Sequence, residues 1–231
     1  MNNIWSKYTT DWSYHEEQVM KFNALCGNDF KDKDLIIPLY YDLCKEEAEE
    51  ALATTKLEDV KGNTISEEQA LNDLVDAACD MFYVGYYLYS KINSSSTVVI
   101  KDMTKMLERL ERLSSDTRKG GGATYITSIN LLDLLRVDPT EALNIVHESN
   151  FSKFIDVTGI PLEDIAEIAE EEISEIKQMY KAKGKALKEV TYQVNPYKDE
   201  HWLVFYNENG KVLKPSTFVE PDLSSVIKHL V

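Results

Sequence analysis

One segment of the sequence, residues 67–91, limits the possible folds most strongly. It is the most apolar stretch of the chain, and its apolar residues recur at the spacing of a helix that is buried on more than one side. The same segment carries Asp73, Asp76 and Asp80, which lie three and four residues apart and therefore share one helix face. No lysine or arginine occurs between Gly62 and Lys91 to pair with these carboxylates.

A second acidic cluster precedes this helix, within a segment of helical apolar spacing at residues 35–52. Glu46, Glu47 and Glu50 lie there, and Glu47 and Glu50 share a face. If the two helices pack antiparallel, these glutamates face the aspartates of the next helix. An ionised carboxylate in an apolar setting is costly unless it is paired or binds a metal. Oxygen ligands favour Mg²⁺, Mn²⁺ or Ca²⁺, and four carboxylates can hold two metals about 3.5–4 Å apart for displacement at phosphorus.

The rest of the sequence predicts a mainly α-helical protein with a small antiparallel β element near the C-terminus. Helices are predicted at residues 13–26, 35–52, 67–91, 102–113, 126–135, 139–149 and 162–182. Thr64 or Ser66 is expected to cap the third of these helices. Strands are predicted at residues 190–194, 202–206 and 211–214. Residues 93–97 and the glycine-rich 118–123 are predicted connectors, and the acidic run 163–175 a solvated helix face.

We expect these elements to form a single domain over residues 1–231, in which residues 185–231 are the small β element and a C-terminal tail.

The charge of the chain restricts its partners. Forty acidic residues against 25 basic ones give a formal net charge of −15, which opposes binding to nucleic acid and to anionic membranes. The sequence has no apolar run long enough to span a bilayer and no apolar secretory segment near its start, so we expect a soluble, cytoplasmic protein. The cysteines Cys26, Cys44 and Cys79 lack metal-ligand spacing, and zinc is not predicted.

The two acidic clusters resemble a known family signature. Glu46-Glu47-x-x-Glu50 followed by Asp73-x-x-Asp76 is similar to the EExxE…ExxD signature of the all-α NTP pyrophosphohydrolases, which include MazG, dimeric dUTPases and phosphoribosyl-ATP pyrophosphohydrolases. Residues 75–84, VDAACDMFYV, resemble the family stretch ADALADLLYV.

Further matches run through most of the chain. Val19-x-x-Phe22-Asn23 is similar to the family's V..FH element, and residues 147–153, HESNFSK, resemble HRSNMSK. Residues 209–215 and 221–223 resemble the closing DGKVLKP…PDL. These matches indicate a phosphoribosyl-ATP-pyrophosphohydrolase-like branch, many of whose members are phage-encoded. Asp73 departs from the usual Glu, and Asn23 stands where His is common.

The resemblance implies roles for individual residues. Glu47, Glu50, Asp73 and Asp76 are the implied metal ligands, and Asp80 is an additional ligand or a group behind the ligands. Glu46 is the candidate for orienting or deprotonating the attacking water, and Glu46 and Glu47 are the implied catalytic residues. The implied substrate contacts are Phe22, Asn150, Lys153, Lys211 and Lys214, because positive side chains suit phosphate oxygens.

Two of these assignments remain open on the residues alone. Phe22 or Tyr83 can stack on a base, but both are also expected as core aromatics. Lys211 and Lys214 would point to opposite faces of one strand, and we favour Lys214 as the phosphate contact.

The resemblance implies a Mg²⁺-dependent enzyme, with Mn²⁺ as a substitute, that hydrolyses a nucleoside triphosphate to a monophosphate and pyrophosphate. An alternative is a protein of the same fold that binds or sequesters a nucleotide without hydrolysing it, which the shorter Asp73 would favour. A helical scaffold is a third possibility, but it gives the carboxylates no role. We also expect a homodimer or homotetramer, because the helix at residues 67–91 needs covering on a second side. The resemblance also implies a four-helix-bundle type of core, in which residues 92–140 are a helical insertion because this connector is longer than in minimal members of the family. That insertion is the alternative cover for the helix.

Overall fold

The computed structural model describes residues 10–59, 61–92, 100, 102–115 and 120–230. Within them lie the helices α1 Trp12–Leu25, α2 Lys33–Thr54, α3 Glu67–Ile92, α4 Met103–Ser115, α5 Gly120–Leu134, α6 Pro139–Phe151, α7 Leu162–Ala182 and α8 Ser224–Ile227. A 3₁₀ helix spans Asn28–Phe30, and the strands are β1 Ile155–Asp156, β2 Val190–Tyr197 and β3 Glu200–Asn207. The predicted mainly α-helical fold with a small antiparallel β element is therefore confirmed. No helix in the described ranges is long and apolar enough to cross a membrane.

Local capping groups decide where the helices begin. The side chain of Asp32 accepts a hydrogen bond from the backbone N–H of Asp34 at 2.9 Å, so α2 begins two residues before the predicted start. The hydroxyl of Ser66 accepts a hydrogen bond from the N–H of Gln69 at 3.1 Å, which makes Ser66 the capping residue of α3. The predicted limits of α7 agree with the observed ones.

The described residues separate into two compact units. The bundle unit comprises residues 10–19, 31–146 and 221–230, and the sheet unit comprises residues 20–30 and 147–220. This division does not test the expectation of a single domain over residues 1–231, which stays a prediction.

Four helices of the bundle unit pack against one another within one chain. Helix α2 contacts α3, α4 and α5, and α5 also contacts α3 and α4. The predicted insertion at residues 92–140 therefore supplies α4 and α5, and α5 covers the second side of α3. Tyr83 and Tyr87 are buried, and Tyr86 and Tyr89 pack on the ring of Tyr125 at centroid distances of 5.3 and 6.0 Å. Helix α5 thus provides cover that a second chain was expected to give, and the homodimer or homotetramer stays a prediction.

The prediction of a flexible loop at residues 118–123 is wrong for its described part. Helix α5 begins at Gly120 and includes all three glycines, while residues 118 and 119 lie outside the described residues. Glycine costs about 1 kcal/mol per position in a helix, so local propensity argues for a loop. Packing of α5 against three other helices outweighs that cost.

The sheet differs from the prediction in its third strand. Strands β2 and β3 form an antiparallel hairpin, and the other edge of β3 pairs with β1, which was not predicted. The predicted strand at residues 211–214 forms one isolated bridge, from Val212 to Tyr206, and a backbone hydrogen bond from Leu213 to Phe205. Pro215 follows immediately and has no N–H with which to extend a ladder.

Helix α7 buries one side against this sheet. Ile165, Ala169 and Ile176 share a core cluster with Leu203 and Phe205 of β3. The prediction that the acidic run of α7 forms a solvated helix face is wrong for one residue. Glu172 is buried, and its carboxylate accepts hydrogen bonds from the backbone N–H and the hydroxyl of Ser216. The Glu172 carboxylate thus satisfies two hydrogen-bond donors of Ser216, in the segment that follows the sheet.

Candidate functional site

Helices α2 and α3 bring the predicted carboxylates together in the bundle unit. The two helices pack directly against each other after a turn in which Glu58 and Thr64 form an isolated bridge. Glu47 lies one turn after the buried Cys44 of α2, and Asp76 and Asp80 flank the buried Cys79 of α3. The buried residues between the carboxylates fix which way each helix is turned, and the acidic faces follow from that orientation.

Glu47 is the most sheltered member of this carboxylate cluster. Its side chain is half-buried, and its Oε2 atom is fully buried with no hydrogen-bond partner among the described residues. Burial raises the pKa of the Glu47 carboxyl well above its ordinary value, and the charges of Asp80, Glu50, Asp76 and Glu46 raise it further, in that order. A buried, unpartnered oxygen surrounded by like charges is the environment that a bound cation would relieve.

Glu50 extends the cluster toward solvent. It is more exposed than Glu47, and the pKa of its carboxyl is raised by partial burial and then by Asp80, Glu46 and Asp73. All six carboxylates predicted from the sequence therefore interact electrostatically, and Asp73, Asp76 and Asp80 of α3 act on Glu47 or Glu50 across the contact with α2. Asp80 is the leading carboxylate neighbour of both Glu47 and Glu50, which gives it a more central place than the sequence indicated.

Two polar contacts occupy the edge of the carboxylate cluster. Gln69 donates a hydrogen bond from Nε2 to Oδ1 of Asp73 at 2.6 Å, one turn earlier on α3. Lys45 pairs with Glu49 at 3.5 Å. Gln69 was not singled out from the sequence, although its place four residues before Asp73 puts it on the same helix face.

The donor set fits a hard divalent cation in its chemistry, because it consists of carboxylates alone. Its spacing is wider than a coordination shell, since no three His, Cys, Asp or Glu side chains of the described residues are arranged to hold a metal ion. A cleft of about 230 Å³ lies beside the cluster, lined by Glu46, Glu49, Glu50 and Ala53. Glutamate side chains at this cleft have several rotatable bonds with which to approach a cation.

The cysteines next to the cluster are thiols rather than thiolates. Burial raises the pKa of Cys44 to about 12, with a further contribution from the charge of Glu47. Burial also raises the pKa of Cys79, and Asp76 and Asp80 add to that effect. Burial thus disfavours the thiolate, which is the form in which cysteine binds a metal, at both positions.

Three of the five predicted substrate residues meet in the sheet unit. Lys153 donates a hydrogen bond to Oδ1 of Asn150 at 2.5 Å, and its ammonium group lies 5.4 Å from the centre of the Phe22 ring. Phe22 also packs against Phe154 at 5.3 Å, beside an apolar core cluster. Phe22 is therefore a partly buried core aromatic that holds a cation over one face.

The other two predicted substrate residues, Lys211 and Lys214, lie after β3. The side chain of Lys211 is exposed, and its backbone N–H donates to the side chain of Asn207. Lys214 pairs with Glu220 at 3.0 Å and lies 4.0 Å from the ring centre of Phe218. Glu220 and Phe218 thus hold the ammonium group of Lys214, whereas Asn150 and Phe22 contact that of Lys153.

A second lysine with aromatic neighbours was missed by the sequence analysis. Lys21 lies over the rings of Phe151, Tyr197 and Trp202 and pairs with Glu200. These residues come from α1, α6 and the β2–β3 hairpin. No local pattern links positions so far apart in the sequence, so only the folded chain could identify them.

Comparison with known proteins adds no relative: neither a family model, nor a curated protein, nor a solved structure matches the chain. A functional proposal therefore rests on the carboxylate cluster of α2 and α3 and on the sequence motifs that resemble the all-α NTP pyrophosphohydrolases.

Proposed function

We propose that this protein is a metal-dependent pyrophosphohydrolase that cleaves a nucleoside triphosphate, or a related nucleotide, to a monophosphate and pyrophosphate. The observation that carries the proposal is the buried, unpartnered Oε2 of Glu47 within a cluster of six carboxylates. Acidic residues on a solvated helix face would not bury an oxygen in this way. The motif resemblance then selects phosphoanhydride hydrolysis from the reactions that hard cations support.

In this proposal the more sheltered carboxylates bind the metal and the exposed Glu46 acts on the attacking water. Glu47, Glu50, Asp73 and Asp76 would hold Mg²⁺, with Asp80 beside Glu47 and Glu50. A cation bound there would supply positive charge to neutralise the triphosphate and favour attack at phosphorus. Glu46 is exposed at the cleft and orients or deprotonates the attacking water. Attack by that water breaks one phosphoanhydride bond, and pyrophosphate leaves with the bonding electron pair.

The assay that tests the proposal is a panel of nucleoside triphosphates, deoxynucleoside triphosphates and phosphoribosyl-ATP incubated with Mg²⁺. We expect pyrophosphate as the product with at least one of them and no orthophosphate. Orthophosphate alone would contradict the assigned bond. Tight nucleotide binding without any product would favour the non-hydrolytic alternative.

Adding Mg²⁺ should raise the melting temperature of the protein, because a cation that binds only the folded cluster stabilises it by mass action. At a concentration about 100 times its Kd the expected increase is roughly 5–10 °C for a chain of this size. Differential scanning calorimetry with Mg²⁺ and with equal ionic strength of Na⁺ measures it. An equal effect of both salts would mean that the carboxylates bind no specific cation.

Replacing Lys153 or Lys214 with alanine should raise KM or lower kcat by about tenfold, because charge-assisted contacts to phosphate are among the stronger hydrogen bonds. Both residues are carried over from the motif resemblance, together with Phe22, Asn150 and Lys211. Steady-state kinetics on the best nucleotide of the panel measures the effect. Lys177→Ala, on the exposed side of α7, is the control. Wild-type kinetics in both variants would show that the phosphate contacts lie elsewhere.

The proposed oligomer and location stay predictions. A homodimer or homotetramer would have to use a surface other than the side of α3 that α5 covers. The three cysteines are free thiols, which is the state that a reducing compartment such as the cytoplasm maintains.

A further inference from the structure

Lys21 is held in an aromatic enclosure in the sheet unit. Its ammonium nitrogen lies 5.2 Å from the ring centre of Phe151, 5.6 Å from that of Tyr197 and 5.0 Å from that of Trp202. Only 17% of its side chain is exposed. Rings at these distances stabilise a cation through their electron-rich faces, and they also keep water away from it.

Two carboxylates lie near Lys21: Glu200, which contacts it directly, and Asp156, which interacts with it electrostatically. Glu200 accepts a hydrogen bond from the ammonium group and a second one, at 2.9 Å, from the indole N–H of Trp202. Both contacts use the same oxygen, Oε2, and lower the pKa of the Glu200 carboxyl. The Glu200 side chain is 43% exposed, so the anion sits at the mouth of the enclosure and Lys21 lies behind it.

A second ammonium group lies on the same aromatic patch. Lys153 lies over Phe22, and the rings of Phe22 and Phe151 are in edge-to-face contact with centroids 6.5 Å apart. Phe151 in turn carries Lys21. Two cations are thereby fixed over neighbouring rings in a chain whose formal net charge is −15. With Glu200 in place these charges are balanced by Glu200 and Asp156, but displacement of Glu200 would leave an excess of positive charge, which an anionic ligand of this acidic protein needs.

We propose that Lys21 and Lys153 form a phosphate-binding site of the sheet unit, in which Glu200 is an internal anion that the phosphate displaces. The ligand class is a phosphate or pyrophosphate group, as carried by a nucleotide. Identifying it as the nucleotide substrate rests on the proposed function, but binding of the phosphate group does not. Side chains of Tyr197, Glu200 and Trp202 place the β2–β3 hairpin at this site, which gives that hairpin a binding role.

The test measures the affinity for inorganic pyrophosphate by calorimetry, in EDTA and at fixed ionic strength. Without metal the carboxylate cluster repels pyrophosphate, so the measurement reports on the lysine site. Lys21→Gln should weaken binding about tenfold, because it removes the buried cation. Glu200→Gln should strengthen binding by roughly three- to tenfold, because it removes the competing charge while its amide oxygen still accepts from Trp202.

These opposite signs separate a binding site from a structural ion pair. If Lys21 and Glu200 only join parts of the fold, both variants weaken binding together or leave it unchanged, and either result overturns the proposal. Lys177→Gln removes one exposed lysine of α7 and should leave the affinity unchanged within error. Urea unfolding of each variant shows whether a loss of binding merely follows from unfolding. If Lys21→Gln does not fold, the affinity of Glu200→Gln for pyrophosphate decides between a binding site and a structural ion pair. If the protein hydrolyses no nucleotide but the two variants still change the pyrophosphate affinity in opposite directions, the proposed reaction is rejected and the phosphate-binding site is supported.

Discussion

Replacing Glu47 with glutamine should abolish magnesium-dependent release of pyrophosphate and should also stabilise the metal-free protein. The rate should fall at least about 100-fold, because each 1.36 kcal/mol of lost transition-state stabilisation is a factor of ten and a metal contributes several kcal/mol. Coupled enzymatic detection of pyrophosphate measures the loss. Urea unfolding in EDTA at neutral pH measures the gain in stability.

The gain in stability follows from the sign of the pKa shift. Burial and four neighbouring carboxylates raise the pKa of Glu47 in the folded state. A carboxyl with a raised pKa destabilises the fold as the pH increases above its ordinary value and the group ionises. Glutamine keeps the shape of the side chain, removes the charge and offers an N–H to the carboxylates nearby. Loss of activity together with a gain in stability therefore identifies a ligand and excludes a structural role.

A matched variant completes this test. Glu170→Gln removes an exposed carboxylate from α7 and should change neither activity nor stability by more than about 0.5 kcal/mol. Wild-type turnover in Glu47→Gln would reject the assigned cation site. A variant that lost activity and stability in parallel would show that Glu47 supports the packing of α2 on α3 instead.

Helical periodicity made most of the carboxylate cluster predictable. Asp73, Asp76 and Asp80 share a face at any helix orientation, and the apolar residues between them determine which face meets α2. The sequence did not predict which aspartate interacts most strongly with the glutamates of α2. Asp80 interacts with both Glu47 and Glu50 more than Asp76 does, because the relative height of two packed helices is set by side-chain interdigitation and not by spacing in one helix.

Elements that depend on distant contacts escaped the sequence analysis. Strand β1 has only two residues, and it exists because Ile155 and Asp156 pair with β3. The three glycines of α5 are helical because that helix is covered on several sides. Lys21 acquires its aromatic neighbours from residues more than 120 positions away along the chain. In each case tertiary packing determines the local conformation or the contacts, and the neighbouring sequence does not predict them.

Replacing Gly85 with alanine should destabilise the bundle unit by about 1–3 kcal/mol. Helices α3 and α5 cross so closely there that a Cβ atom on Gly85 would lie 2.5 Å from the backbone nitrogen of Tyr125 and 3.0 Å from the carbonyl carbon of Thr124. Both are backbone atoms, so no side-chain rotation relieves the overlap and the helices must separate. Alanine is otherwise favoured over glycine in a helix by about 1 kcal/mol, so the sign of the change is diagnostic.

Urea unfolding followed by circular dichroism measures the effect, and Asn72→Ala in the same helix is the control. The control should be neutral or slightly stabilising, because alanine has the higher helix propensity. An increase in stability for Gly85→Ala would mean that α5 does not approach α3 as described, and the bundle would then need another partner on that side.

The dependence on protein concentration shows which chain supplies that partner. If α5 of the same chain covers α3, unfolding of Gly85→Ala and of the wild type is unimolecular, and the urea midpoints are the same at concentrations that differ about tenfold. If a second chain covered α3, unfolding would be coupled to dissociation, and both midpoints would rise with concentration. The close backbone approach of Gly85 to Tyr125 favours the first result. Residues 92–140, first interpreted as an insertion, would then be half of the bundle that supports the carboxylate cluster.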